Sequence, residues 1–87
     1  MTTIELHQII TNILVDHFSV KEEDCKLDTP LLKLYPDFIF LSNVLLFEEL
    51  VEKNIQKPLQ LKERLNIIDA TLADVINYTL QDFKSIK

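Results

Sequence analysis

The chain has 87 residues, of which 47% are hydrophobic and 26% are charged, and its formal net charge at pH 7 is −5. This length predicts one small globular domain covering residues 1–87. The acidic balance disfavours nucleic acid as a partner, because phosphate binding needs concentrated Lys and Arg, and it favours a basic protein surface. The sequence contains no glycine, which argues against tight β-hairpins and Gly-rich phosphate loops. An all-α fold is therefore expected.

The single cysteine, Cys25, cannot form an internal disulfide. No secretory signal is recognisable, and the longest apolar run, from Phe38 to Phe47, is far shorter than the roughly 18 residues that suggest a membrane span. We therefore expect a cytoplasmic protein without a membrane span.

The first helix is marked by Thr2 and Glu5, whose spacing is that of a capping box. Apolar residues follow at helical spacing from Leu6 to Leu14, so this helix runs to about Phe18. Residues 19–28 are polar and predict a long surface loop with at most a single turn.

The central helix is the second long element of the sequence. Asp28, Thr29 and Pro30 predict a brief helical turn over residues 31–34, which Tyr35 and Pro36 close. Asp37 then has the character of an N-cap, and apolar residues continue at helical spacing. We predict one continuous helix from Asp37 to Asn54, with Glu48, Glu49 and Glu52 on its outer face.

The remaining elements complete a small bundle. Leu61, Leu65 and Ile68 predict a short helix around residues 62–64. Thr71 and Asp74 form another capping box, and the last amphipathic helix runs to about Phe83. The expected fold is an all-α bundle of three main helices and one short helix, with a long first loop.

The order of these segments resembles that of acyl carrier proteins and peptidyl carrier domains. The resemblance covers nearly the whole chain through four segments. They are Phe18–Asp24, Asp28–Leu34, Phe47–Ile55 and Ile67–Tyr78. It implies a carrier-like bundle in which the acidic second helix docks to enzymes of fatty acid, polyketide or nonribosomal peptide metabolism. This interpretation requires a continuous helix over residues 37–54.

The resemblance fails at the family's attachment site. In the family, an Asp-Ser-Leu motif begins the second helix, and the Ser hydroxyl is esterified with 4'-phosphopantetheine. Here Phe38 takes the place of the Ser, or Asp37 does in a register shifted by one residue. Neither side chain has a hydroxyl, so the expectation is a binding module without a cofactor. The alternative is a genuine carrier that uses Ser42 as an atypical attachment site.

Partner contacts are expected from two groups of side chains. The apolar start of the central helix is too continuous to be hidden on one face, and the acidic face beyond it suits a basic partner. These candidate residues are Asp37, Phe38, Ile39, Phe40, Glu48, Glu49 and Glu52. A further alternative is a generic helical interaction module or a homodimer, whose contact would be lost in Phe38→Asp or Phe40→Asp.

No catalytic or metal-binding constellation is recognisable in the sequence. His7 and His17 lie ten residues apart and do not share a helix face well, so neither predicts a metal site. Cys25 lies in an acidic loop, which raises a thiol pKa, and has no recognisable catalytic partner. We therefore do not expect an enzyme.

Overall fold

The structure, a computed structural model, describes residues 2–59 and 66–84. Over these residues the chain forms four α-helices and two short 3-10 turns. The helices are α1 (Thr3–Phe18), α2 (Leu31–Leu34), α3 (Leu41–Ile55) and α4 (Leu72–Lys84), and the turns are Glu22–Asp24 and Pro36–Ile39. The all-α bundle is confirmed. None of the helices described is long and apolar enough to cross a membrane.

Helix α1 begins as the sequence predicts. The Thr2 hydroxyl accepts a hydrogen bond from the Glu5 amide, and the Thr2 amide donates to the Glu5 carboxylate, each over 3.1 Å. The helix ends at Ser19, which adopts a left-handed backbone conformation with φ of 58°. This capping box and the predicted end near Phe18 are confirmed.

Helix α4 begins at a second capping box, and the first loop adds to it. The Thr71 amide donates to the Asp74 carboxylate over 3.0 Å, and the Asp74 amide donates to the Thr71 hydroxyl over 3.3 Å. Leu72 and Ala73 lie between these two residues, and their amides donate to carbonyls of the first loop. The Leu72 amide donates to the Thr29 carbonyl, and the Ala73 amide donates to the Leu27 carbonyl. Carbonyls of the first loop therefore satisfy amides that a helix start leaves without intrahelical partners.

The core lies between α1, α3 and α4. Its fully buried apolar side chains come from these three helices, from α2 and from the 3-10 turn before α3. They include Leu6, Ile10, Leu14, Leu31, Phe47, Val51, Leu72, Val75 and Ile76. Helices of this length are stable mainly because such apolar faces pack against one another.

An aromatic cluster at one end of the core anchors the segment before α3. The rings of Phe18 and Phe38 lie 5.1 Å apart between centroids, and Tyr35 and Phe47 lie 5.0 Å and 5.5 Å from Phe38. Aromatic pairs at these distances and inclined angles add to the free energy gained by burial. Phe38 is thus a central core residue, with 1% of its surface exposed.

The prediction of one continuous helix from Asp37 to Asn54 is wrong. Residues 36–39 form a 3-10 turn, and Phe40 is extended, with φ of −87° and ψ of 125°, so that α3 begins at Leu41. The turn directs Phe38 into the aromatic cluster. The Asn43 side chain holds the turn against α3 by donating to the Asp37 carbonyl over 2.8 Å. The N-cap of α3 is therefore Phe40 and not Asp37.

The remaining elements agree with the sequence where the structure describes them. Helix α2 forms over the predicted residues and ends at Tyr35, which is extended. The loop between α1 and α2 contains one 3-10 turn, as predicted. The short helix predicted around residues 62–64 lies outside the described residues.

Candidate functional site

A group of exposed apolar side chains lies at the start of α3. We call it the apolar surface and define it by five residues: Ile39, Phe40, Leu41, Leu45 and Leu46. Ile39 is 53% exposed, and Phe40 and Leu41 are each 60% exposed. Leu41 and Leu45 are one helical turn apart, which places them side by side on the helix.

The 3-10 turn and the extended Phe40 before α3 explain why this surface is exposed. The inner face of α3 is occupied by Val44, Phe47 and Val51, all buried. Leu45 and Leu46, which lie between Val44 and Phe47, therefore face outward, as helical periodicity requires. Ile39 and Phe40 precede the helix in the turn and at its cap, so neither can share the inner face.

Phe38 and Asp37, which match the carrier attachment position in the two registers, do not begin a helix. Phe38 is buried in the aromatic cluster and is unavailable for contact with a partner. The expectation that it belongs to a contact surface is wrong, because the 3-10 turn directs its ring inward. Asp37 is exposed in the same turn.

Ser42 has a different setting from the one the sequence suggested. Because α3 begins at Leu41, Ser42 is the second residue of the helix and lies in its first turn. It is exposed. Leu45 and Leu46 follow it by three and four residues, so the hydroxyl lies beside the apolar surface. The sequence placed Ser42 about one turn further into the helix.

The three acidic residues of the predicted docking face do not share one environment. Glu48 is buried, with 8% of its surface exposed, so its placement on the outer face is wrong. It follows Phe47 directly and precedes Val51 by three residues, which puts it on the inner side of α3. Glu52 is half-buried and accepts a hydrogen bond from the Leu59 amide over 2.6 Å.

Glu49 is the exposed carboxylate of these three. Its Oε1 lies 3.5 Å from the Lys53 Nζ, one helical turn away, and both side chains are well exposed. Such a pair contributes little to stability, because water and salt screen it. The acidic docking prediction therefore depends on Glu49 within α3 and on Asp37 before it.

Two other reactive side chains, those of His7 and Cys25, make contacts within the fold. The Nε2 atom of His7 lies 2.7 Å from the backbone oxygen of Cys25. Burial raises the pKa of the Cys25 thiol, and the nearby Asp24 carboxylate adds to that shift. Over residues 2–59 and 66–84, no three His, Cys, Asp or Glu side chains come together in a way that could hold a metal ion.

Comparison with known proteins adds no relative. No protein-family model matches the chain, and no curated protein and no solved structure is similar enough to count as a match. The resemblance to carrier proteins consequently rests on the residue pattern of this chain.

Proposed function

We propose that this chain is a carrier-like, non-catalytic binding module that docks to a partner enzyme of acyl or peptidyl metabolism. The observation that supports docking is the apolar surface at the start of α3, whose five side chains are all exposed and lie within residues 39–46. Contiguous apolar surface of this kind marks interaction sites on small soluble domains. The proposal places the chain in the cytoplasm, where a lone thiol such as Cys25 stays reduced.

The identity of the residue at the N-cap of α3 supports the same proposal. Ser, Thr, Asp and Asn are favoured there because their side chains accept from free amides of the first turn, whereas Phe40 makes no such hydrogen bond. A phenylalanine at this N-cap therefore gives a lower free energy of unfolding than a capping residue would give. Local departures from good helix chemistry are expected where a residue serves binding.

The link to carrier metabolism is supported by segment order alone. The interpretation required one helix over residues 37–54, and that helix does not form. What remains is the order of four carrier-like segments within an all-α bundle. In this proposal the apolar surface takes the place of a pantetheine arm.

The second candidate function is that of a true carrier attached through Ser42. It is favoured by the position of Ser42 in the first turn of α3, since the family's attachment serine also begins its helix. Its hydroxyl is exposed and free of the steric limits of the core. Against it stand the neighbours in sequence, Leu41 and Asn43, which replace the Asp and Leu of the family motif.

Intact mass spectrometry separates the two functions. The purified chain is incubated with coenzyme A and a phosphopantetheinyl transferase of broad specificity, beside an ordinary carrier protein as the positive control. The docking module gains no mass. A gain of one phosphopantetheine that disappears in Ser42→Ala, but persists in the Ser19→Ala control, would establish the carrier and overturn the first proposal.

A further inference from the structure

We infer that the apolar surface binds a surface on a partner protein that is apolar in its middle and positively charged at both ends. This inference rests on the proposed function and specifies the chemistry of the partner. It also excludes a second copy of this chain as the normal occupant.

The charges around the apolar surface carry the inference. Asp37 is exposed immediately before Phe38 and Ile39, and Glu49 is exposed one helical turn beyond Leu45. Along α3, Leu41 and Glu49 are eight residues apart, which corresponds to about 12 Å of helix. Exposed carboxylates therefore precede and follow the apolar surface along the chain, and a complementary partner surface presents cations at matching places.

Lys53 does not cancel this pattern. Its ammonium pairs with Glu49 at 3.5 Å, but both side chains are more than half exposed. An exposed pair of this kind is weak and easily exchanged for another partner. A cation on the binding partner can therefore share or replace Lys53 beside the Glu49 carboxylate.

Charge and size both disfavour self-association. A two-fold contact would pair this surface with itself, so both copies would bring the same acidic ends and a net charge of −5 to one interface. Five partly exposed side chains amount to a patch of roughly several hundred Å². A stable interface buries about 800 Å² on each partner. The surface suits a transient complex with an oppositely charged protein.

Two synthetic peptides test the inference. Both form an amphipathic helix with one leucine-rich face; one carries Lys at both ends of that face, and the other carries Glu there. Fluorescence anisotropy should show at least tenfold tighter binding of the Lys peptide at low salt, with a ratio that shrinks as salt is added. The double variant Asp37→Lys, Glu49→Lys should reverse the preference.

Matched variants separate the possible outcomes. Leu45→Asp should remove binding of both peptides, whereas Ile4→Asp, on an exposed position of α1, should leave it unchanged; circular dichroism checks that both variants fold. Equal binding of the two peptides that is lost in Leu45→Asp overturns the charge inference and leaves the docking function standing. Binding by neither peptide, or binding that Leu45→Asp does not weaken, overturns both.

The oligomeric state supplies an independent check. Light scattering across a wide range of protein concentration should give the mass of a single chain. A dimer that dissociates in Leu45→Asp but persists in Ile4→Asp would make the second copy the occupant and overturn the inference.

Discussion

Phe38 and Phe40 are the same residue type two positions apart, yet they lie in opposite environments. Phe38 is 1% exposed and contacts three other aromatic rings, whereas Phe40 is 60% exposed and caps α3 without a side-chain hydrogen bond. The 3-10 turn between Pro36 and Ile39 produces this difference.

The comparison shows how a fold can expose an aromatic residue without losing its core. One ring closes the aromatic end of the bundle, and the turn then directs the following apolar residues outward. Burial is thus decided by backbone geometry and not by residue type. Substitutions at these two positions should separate the residues that serve stability from those available for binding.

The largest effect is expected for Phe38→Ala. Removing a fully buried ring leaves a cavity within the aromatic cluster, which should lower the free energy of unfolding by about 3–5 kcal/mol. Urea denaturation followed by circular dichroism measures the change. A loss below about 1 kcal/mol would show that Phe38 is not the buried member of the pair.

Phe40→Asp should stabilise the protein. An aspartate at the N-cap can accept hydrogen bonds from the first amides of α3, so the free energy of unfolding should rise by about 0.5–2 kcal/mol. The same urea titration measures it, with Phe40→Asn as an uncharged control that caps equally well. A destabilised Phe40→Asp variant would mean that the exposed ring contributes to folding after all.

Asn43→Ala tests the hydrogen bond that holds the 3-10 turn between buried Phe38 and exposed Phe40. The Asn43 amide donates to the Asp37 carbonyl over 2.8 Å and links the 3-10 turn to α3. Its loss should reduce the free energy of unfolding by about 0.5–1.5 kcal/mol. Asn77→Ala, at an exposed position of α4, is the matched control. Equal effects at both positions would remove any special role for the link.

The smallest effect is expected for Phe40→Ala. An exposed side chain with no hydrogen bond contributes little to folding, so the free energy of unfolding should change by less than about 0.5 kcal/mol. Differential scanning calorimetry of this variant beside Phe38→Ala gives the contrast directly. Comparable losses in both variants would refute the distinction between core ring and surface ring.

Local chemistry explains which elements the sequence could predict. The Thr2 and Glu5 box and the Thr71 and Asp74 box each mark a helix start within four residues, and both form as predicted. The helical spacing of apolar residues then predicts which faces of α1 and α4 are buried. These features need no knowledge of distant residues, so a single sequence is sufficient.

The start of α3 could not be predicted for the opposite reason. Pro36 and Asp37 have the chemistry of a helix start, and residues 38–41 contain no polar residue to indicate which face is inside. The inward direction of Phe38 is decided by Phe18, twenty residues earlier, and by Phe47 within α3, whose rings pack against it. The burial of Glu48 was missed similarly, because residue type alone assigned it to solvent.

The backbone bonds between the first loop and the start of α4 bear on how this chain can be shortened. The Leu31 amide donates to the Ala70 carbonyl over 2.9 Å, and the loop carbonyls of Leu27 and Thr29 accept from Ala73 and Leu72. A truncation before residue 70 would therefore strip hydrogen-bonding partners from a loop some forty positions upstream. The first loop and the start of α4 therefore depend on each other, and a shortened version ending after α3 should not retain the native loop.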